Sequence, residues 1–134
     1  MYDRKKREMF IPQQKYVEES ADMFRRTQAR PTNNPCDPSM KLSSVDSPKA
    51  NVEKQAMGRT LYRQLLGRLL FIVTTTRPDA AFPVSQLGRF ADNPSQYWKA
   101  LIKVLRYLRS TSDFGLHYGI EKLQRQLAAY SDVK

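Results

Sequence analysis

The clearest pattern along this chain of 134 residues is a helical repeat of hydrophobic positions in its second half. The repeat has the spacing i, i+3, i+4, i+7, i+8 and i+11, and it consists of Tyr62, Leu65, Leu66, Leu69, Leu70 and Val73. This spacing places the apolar side chains on one face of a helix over residues 54–75. A shorter helix with Val84 and Leu87 follows, and Pro83 either begins that helix or kinks it.

A start signal for another helix comes next in the sequence. Asn93 is a suitable cap, Pro94 suits the first turn, and we expect the helix to extend to residue 109. The face opposite its apolar side carries Lys99, Lys103 and Arg106. This basic face is either the ordinary solvated side of a helix or a track for phosphates. The absence of acidic residues between positions 94 and 112 favours phosphates.

The two ends of the chain show shorter patterns. Residues 7–12 fit a short strand, and residues 13–26 fit a weakly apolar helix. Alternating positions in 114–118 and 127–132 predict a β-hairpin at the other end. Residues 27–54 are rich in Pro, Asn and Ser, which predicts a long irregular linker, extended or disordered. The predicted fold is therefore mostly α with a small C-terminal β-hairpin, an α+β arrangement with about four helices.

The net charge of the chain adds an indication of what kind of molecule it binds. Twenty-three Lys and Arg against 13 Asp and Glu leave a net charge of +10. Such a surplus favours polyanions, although a soluble domain that is merely basic has the same composition.

Cys36 is the only cysteine, so no internal disulfide forms, and a lone Cys and a lone His do not make a zinc site. The longest apolar run, residues 69–73, is too short to cross a membrane, and no secretory signal is evident, so we expect an intracellular protein of unspecified compartment.

A series of short motifs carries a family resemblance. The run YRQLLGRLLF at residues 62–71 is followed by TRPD at 76–79. Further motifs follow in order: Ala81-Phe82-x-Val84-Ser85-Gln86-Leu87, Asn93-Pro94, Trp98-Lys99-Ala100, VLRYLRST at 104–111, Phe114-Gly115-Leu116-x-Tyr118 and Tyr130-Ser131-Asp132. In order and spacing they resemble the Pol polyproteins of copia-type LTR retrotransposons, where the reverse transcriptase ends and ribonuclease H begins. Residues 10–50 match more loosely.

The resemblance implies a division of the chain. Residues 1–26 would come from the end of the palm and thumb region, residues 27–54 would be a Pro-rich linker, residues 55–112 a three-helix thumb or connection region, and residues 113–134 a truncated start of ribonuclease H. In the family, the polymerase carboxylates that hold Mg²⁺ lie upstream, and this sequence contains no Asp-Asp pair. Asp132 would be the first ribonuclease H carboxylate, in an incomplete site. No complete metal site is therefore expected, and no cofactor in this fragment, although the parent family uses Mg²⁺.

By this resemblance the chain is a catalytically incomplete reverse transcriptase–ribonuclease H fragment. Its expected partners are a nucleic-acid primer–template, bound without sequence preference, and the remainder of the Pol polyprotein. The expected phosphate-binding residues are Arg59, Arg63, Lys99, Lys103, Arg106 and Arg109. Two alternatives stay open. One is a small basic interaction module co-opted from the element, and the other is an enzyme fragment active only when complemented by the missing parts.

Three other residues have simpler expected roles. Asp79, near a helix start, is expected to interact with first-turn amides. Arg77 is expected to contact phosphate, form an ion pair, or interact with a helix C-terminus. Trp98 is expected to pack against the apolar face rather than to stack on a base.

Overall fold

The computed structural model describes residues 1–28, 30–36, 52–91 and 94–119. Their elements, in chain order, are β1 (Tyr2–Asp3), β2 (Glu8–Pro12), α1 (Gln14–Met23), α2 (Val52–Thr75), a 3₁₀ turn (Pro78–Ala80), α3 (Ala81–Gly88), α4 (Pro94–Ser110) and β3 (Gly115–Tyr118). The described residues thus form four α-helices and one small antiparallel sheet, which confirms the mostly helical prediction. Asp132, the predicted strand over 127–132 and most of the predicted linker lie outside the described residues.

The core is built from the apolar faces of α2, α3 and α4, to which α1 contributes Val17. The side chains of Leu65, Leu69 and Leu105 are fully inaccessible to solvent. Burying a leucine side chain stabilises the fold by about 1.5–3 kcal/mol relative to leaving it exposed. The buried hydroxyl of Tyr62 donates a hydrogen bond of 2.9 Å to the carbonyl of Leu87, and burial raises its pKa. That bond joins the middle of α2 to the end of α3.

Pro83 is the third residue of α3, which starts at Ala81, and so lies in the first turn of the helix. The first amides of a helix have no intrahelical partner, so proline loses no hydrogen bond there. The helix begins two residues before Pro83 and continues through it, which is closer to the first of the two predicted alternatives, a helix that starts at the proline.

The sheet joins the two ends of the described chain. Its strand order is β1-β2-β3, and β2 pairs antiparallel with β3 from Met9 opposite Tyr118 to Pro12 opposite Gly115. The strand predicted at 114–118 is therefore confirmed. Its described partner is β2, which the sequence did not indicate. The predicted pairing with residues 127–132 stays a prediction.

The segment after α1 lies against α4. Residues 30–36 contain neither helix nor strand, as expected for an irregular linker. Two side chains of α4 nevertheless bind the backbone of this segment. The Nε of Arg106 donates to the carbonyl of Arg30, and the hydroxyl of Ser110 donates to the carbonyl of Thr32, both at 2.8 Å.

Within the part of the chain that the structure describes, none of the helices has the length and apolar character that a membrane span requires.

Candidate nucleic-acid interface

A groove between α4 and the segment after α1 brings four cations together. It has a volume of about 440 Å³ and is lined by Arg26, Arg30, Trp98, Lys99, Ile102 and Arg106. We call it the α4 groove. None of these six side chains is acidic, and two of them are apolar. The groove therefore combines a strong positive potential with an apolar surface.

The path of the chain at the end of α1 places two of these cations. Arg25 adopts a left-handed backbone conformation, with φ of 53°. The amide of Arg25 donates to the carbonyl of Asp22, and the amide of Arg26 donates to that of Ala21. This pair of bonds is the Schellman arrangement that ends a helix, normally with glycine at the left-handed position. The turn directs the chain from α1 onto α4 and so brings Arg26 and Arg30 to the groove.

α4 supplies the other two cations. Lys99 is exposed, and Arg106 is half-buried, with its Nε committed to the carbonyl of Arg30. The Nε of Arg26 is buried and has no hydrogen-bond partner among the described residues. A buried donor without a partner costs about 1–3 kcal/mol. Arg26 is therefore a groove residue with an unsatisfied donor.

The six predicted phosphate-binding residues do not form one cluster. Lys99 and Arg106 line the α4 groove. Arg106 and Arg109 line a neighbouring depression, whose other wall carries Glu18 and Asp22, so charge there is nearly balanced.

The other three predicted residues do not line the α4 groove. Arg59 and Arg63 lie on the exposed side of α2, one turn apart. Lys103 is half-buried, and both it and Arg63 take part in interactions within the chain. The structure thus brings two of the six predicted residues together in one place with Arg26 and Arg30.

The sequence did not single out Arg26 and Arg30, because Arg26 ends a weakly apolar predicted helix and Arg30 lies in the predicted irregular linker. It also left unused a second basic cluster, at the turn between β1 and β2. That turn consists of Arg4, Lys5, Lys6 and Arg7, all exposed. The carboxylate of Asp3 accepts hydrogen bonds from the amides of Lys5 and Lys6, at 2.9 and 3.2 Å. Four consecutive cations were the available signal for this cluster.

Arg77 belongs to a structural cluster and not to the basic surface. Its side chain is buried and donates twice to the carboxylate of Asp79, at 2.9 and 2.8 Å. It also donates to the carbonyl and the hydroxyl of Thr111, at 2.7 and 2.6 Å. The hydroxyl of Tyr107 donates to the same Asp79 carboxylate at 2.7 Å. We call these four residues the Arg77 cluster.

The Arg77 cluster resolves the expectations for two residues. Arg77 makes an ion pair and also binds a carbonyl just beyond the end of α4, which combines two of its three expected roles. Its burial leaves it no access to phosphate. Asp79 lies in the first turn of the 3₁₀ segment, as expected, but its main partners are side chains and not first-turn amides.

The pKa values in the cluster follow from these bonds. The hydrogen bond from Arg77 lowers the pKa of Asp79, against burial, which acts to raise it. Burial acts to lower the pKa of Arg77, but the bond to Asp79 and the charge of that carboxylate outweigh burial and raise it. The bond to Asp79 raises the pKa of Tyr107. Each shift favours the charge state that the cluster uses: a cation, an anion and a neutral phenol.

Within the described ranges, no three His, Cys, Asp or Glu residues lie close enough together to hold a metal ion. Asp132, expected from the family resemblance as a ribonuclease H carboxylate, lies outside those ranges.

Known proteins provide matches to this sequence. The chain is 34% identical over 118 residues to the retrovirus-related Pol polyprotein from transposon TNT 1-94 of Nicotiana tabacum, across 87% of this chain and 9% of that protein. It is 32% identical over 130 residues to the corresponding polyprotein from transposon RE1 of Arabidopsis thaliana, across 93% of this chain and 8% of that protein. It is also 39% identical over 73 residues to the secreted RxLR effector protein 161 of Plasmopara viticola, across 54% of this chain and 51% of that protein. No family model and no solved structure matches.

These matches confirm the family resemblance. The chain is a sequence relative of the Pol polyproteins of copia-type retrotransposons. It corresponds to one segment of them and spans only 9% and 8% of the two polyproteins compared.

Proposed function

We propose that this chain is a nucleic-acid-binding segment of a retrotransposon Pol polyprotein and that it holds phosphates in the α4 groove. One observation carries the proposal. Two segments, one after α1 and one in α4, place Arg26, Arg30, Lys99 and Arg106 around one groove that no described acidic side chain lines. Assembling four cations is unfavourable unless an anion or solvent screens them.

Nucleic acid fits this groove better than other anions do. A phosphate backbone supplies several negative charges in a row, and binding releases the counterions condensed on it. The net charge of +10 adds a long-range attraction for such a polymer. Arginine also suits phosphate because its planar guanidinium donates two parallel hydrogen bonds.

The groove cations predict binding without sequence preference. Contacts to phosphate position a protein on nucleic acid but do not read bases. A primer–template of any sequence would therefore be a ligand, as the family resemblance implies. The remainder of the Pol polyprotein is the second proposed partner.

Filter binding at increasing salt tests this proposal. A labelled single-stranded oligonucleotide would be titrated with the whole chain at salt concentrations between about 50 and 200 mM. We expect the logarithm of the binding constant to fall linearly with the logarithm of salt concentration, with a slope of about −3 for four single-strand phosphate contacts. Affinity that does not depend on salt would contradict binding through phosphates.

A second function is favoured by the match to the secreted effector, of which the chain spans 51%. In this alternative the chain is a small helical interaction module that acts outside a polyprotein. The shared core of α1, α2, α3 and α4 supports independent folding. A single cooperative thermal transition of the purified chain would support the module, and a broad, uncooperative one would oppose it.

A further inference from the structure

Trp98 lies in the α4 groove among the cations. Its indole is half-buried and packs against the core, which confirms the expected packing role. It meets the ring of Phe24 with centroids 6.2 Å apart and planes tilted by 58°. The same side chain also lines the groove, next to Ile102. Trp98 thus contacts the core and also lines the α4 groove.

This apolar surface is not explained by phosphate binding. Phosphates need only cations and donors. Ile102 supplies neither, and Trp98 offers a single N–H on an otherwise apolar ring. A flat aromatic surface between cations suits an unpaired base, because bases stack on indole while their phosphates bind Arg and Lys. The groove volume of about 440 Å³ lies within the range typical of small-ligand sites.

A duplex would not use this arrangement. In a duplex each base is already stacked on its neighbours, and only its edges are accessible from the grooves. The apolar part of the α4 groove would then stay uncovered. A single strand exposes whole base faces, so its bases can cover the apolar surface of the groove while its phosphates bind the cations.

We propose that the α4 groove prefers single-stranded nucleic acid, with one base stacked on Trp98 and the adjoining phosphates on Arg26, Arg30, Lys99 and Arg106. This inference rests on the proposed function and specifies its ligand. It also assigns Trp98 a binding role that the sequence did not favour.

The chain contains a single tryptophan, so its intrinsic fluorescence reports directly on this site. Three oligonucleotide ligands would be compared: a single-stranded oligothymidylate, an abasic strand with the same number of phosphates, and a duplex of equal length. Binding would be followed in parallel by fluorescence anisotropy of a dye on each ligand. We expect saturable quenching of Trp98 by oligothymidylate and little quenching by the abasic strand.

Two substitutions sharpen the test. Trp98→Leu should weaken oligothymidylate binding by about 5- to 150-fold and duplex and abasic binding much less, because stacking is available only to an unpaired base. Trp98→Phe keeps an aromatic face and should retain most of the affinity for the single strand. If the leucine variant is too unstable to study, the phenylalanine variant and the quenching data still decide the question.

The outcomes distinguish base stacking on Trp98 from phosphate binding in the α4 groove. If the three ligands bind equally well by anisotropy and none quenches Trp98, stacking is wrong while phosphate binding stands. If none of the ligands binds, both are wrong. If the duplex binds most tightly and also quenches Trp98, the preference for single strands is overturned.

Discussion

Arg77 joins the turn after α2 to the chain beyond α4, and its charge is compensated at close range. Its side chain is only 3% exposed, and its guanidinium lies 2.8 Å from a carboxylate oxygen of Asp79. It also lies near the faces of Tyr107 and Phe114, 5.5 and 5.3 Å from their ring centres. A buried cation is tolerated only with such compensation, because its desolvation is costly. The position of Thr111 therefore depends on Asp79 through Arg77.

Replacing Asp79 with Asn should destabilise the protein. The substitution removes the charge that compensates Arg77 and weakens the bond to Tyr107. We expect the free energy of unfolding to fall by about 1–3 kcal/mol, towards the lower end because water reaches part of the carboxylate. Urea unfolding measures the change. Asp113→Asn is the matched control, since Asp113 is exposed and the charge change is the same. Equal effects of the two variants would contradict the role of Asp79.

The lowered pKa of Asp79 predicts an acid-dependent loss of stability. A carboxyl group whose pKa is lower in the folded than in the unfolded protein stabilises the fold above its unfolded pKa, which is about 3.9. That contribution disappears as the pH falls through the lowered folded value. We therefore expect the unfolding free energy of the wild type to fall below about pH 4, and less so in Asp79→Asn. Parallel acid dependence in the two proteins would argue against this account.

At the scale of elements, the close approach of β2 and β3 depends on Gly115. A Cβ atom at position 115 would lie 2.5 Å from the carbonyl oxygen of Ile11. Gly67, within α2, instead has open space where a Cβ would be. Replacing each of these two glycines with alanine should therefore change the free energy of unfolding in opposite directions.

Gly115→Ala should lower the free energy of unfolding by about 1–3 kcal/mol, because the strands must separate to admit the methyl group. Gly67→Ala should raise it by about 0.5–1 kcal/mol, because alanine loses less entropy in a helix. Denaturant unfolding of both variants gives the comparison, and amide hydrogen exchange in β2 locates the loss. Stabilisation by Gly115→Ala would contradict the strand pairing.

The helices were largely predictable from local sequence. The apolar repeat around Leu65 fixed α2, and Pro94 fixed the start of α4. The pairing of β2 with β3 was not predictable, because the two strands are about a hundred residues apart and neither sequence specifies its partner.

The α4 groove was likewise predictable only where its residues follow a local sequence pattern. Lys99 and Arg106 share a helical face that periodicity reveals, whereas Arg26 reaches the groove through a left-handed turn at Arg25, where glycine is the usual signal.

At the scale of the whole molecule, the positive charge is unevenly placed. The α4 groove and the turn with Arg4 and Lys5 are strongly basic, whereas Glu18 and Asp22 oppose the cations in the neighbouring depression. A net charge of +10 alone would attract any polyanion weakly and diffusely. The central claim is more specific, since it places the phosphates in one groove. A comparison of lysines inside and outside that groove tests it.

Lys99→Ala and Lys15→Ala provide that comparison, because each removes one exposed helical lysine, and Lys15 is 91% exposed on α1, away from the groove. The measurement is the slope of the logarithm of the nucleic-acid binding constant against the logarithm of salt concentration. We expect Lys99→Ala to reduce the magnitude of the slope by about 0.7–0.9, the loss of one phosphate contact, and Lys15→Ala to leave it at the wild-type value. Equal slopes for both variants would contradict the α4 groove as the binding site.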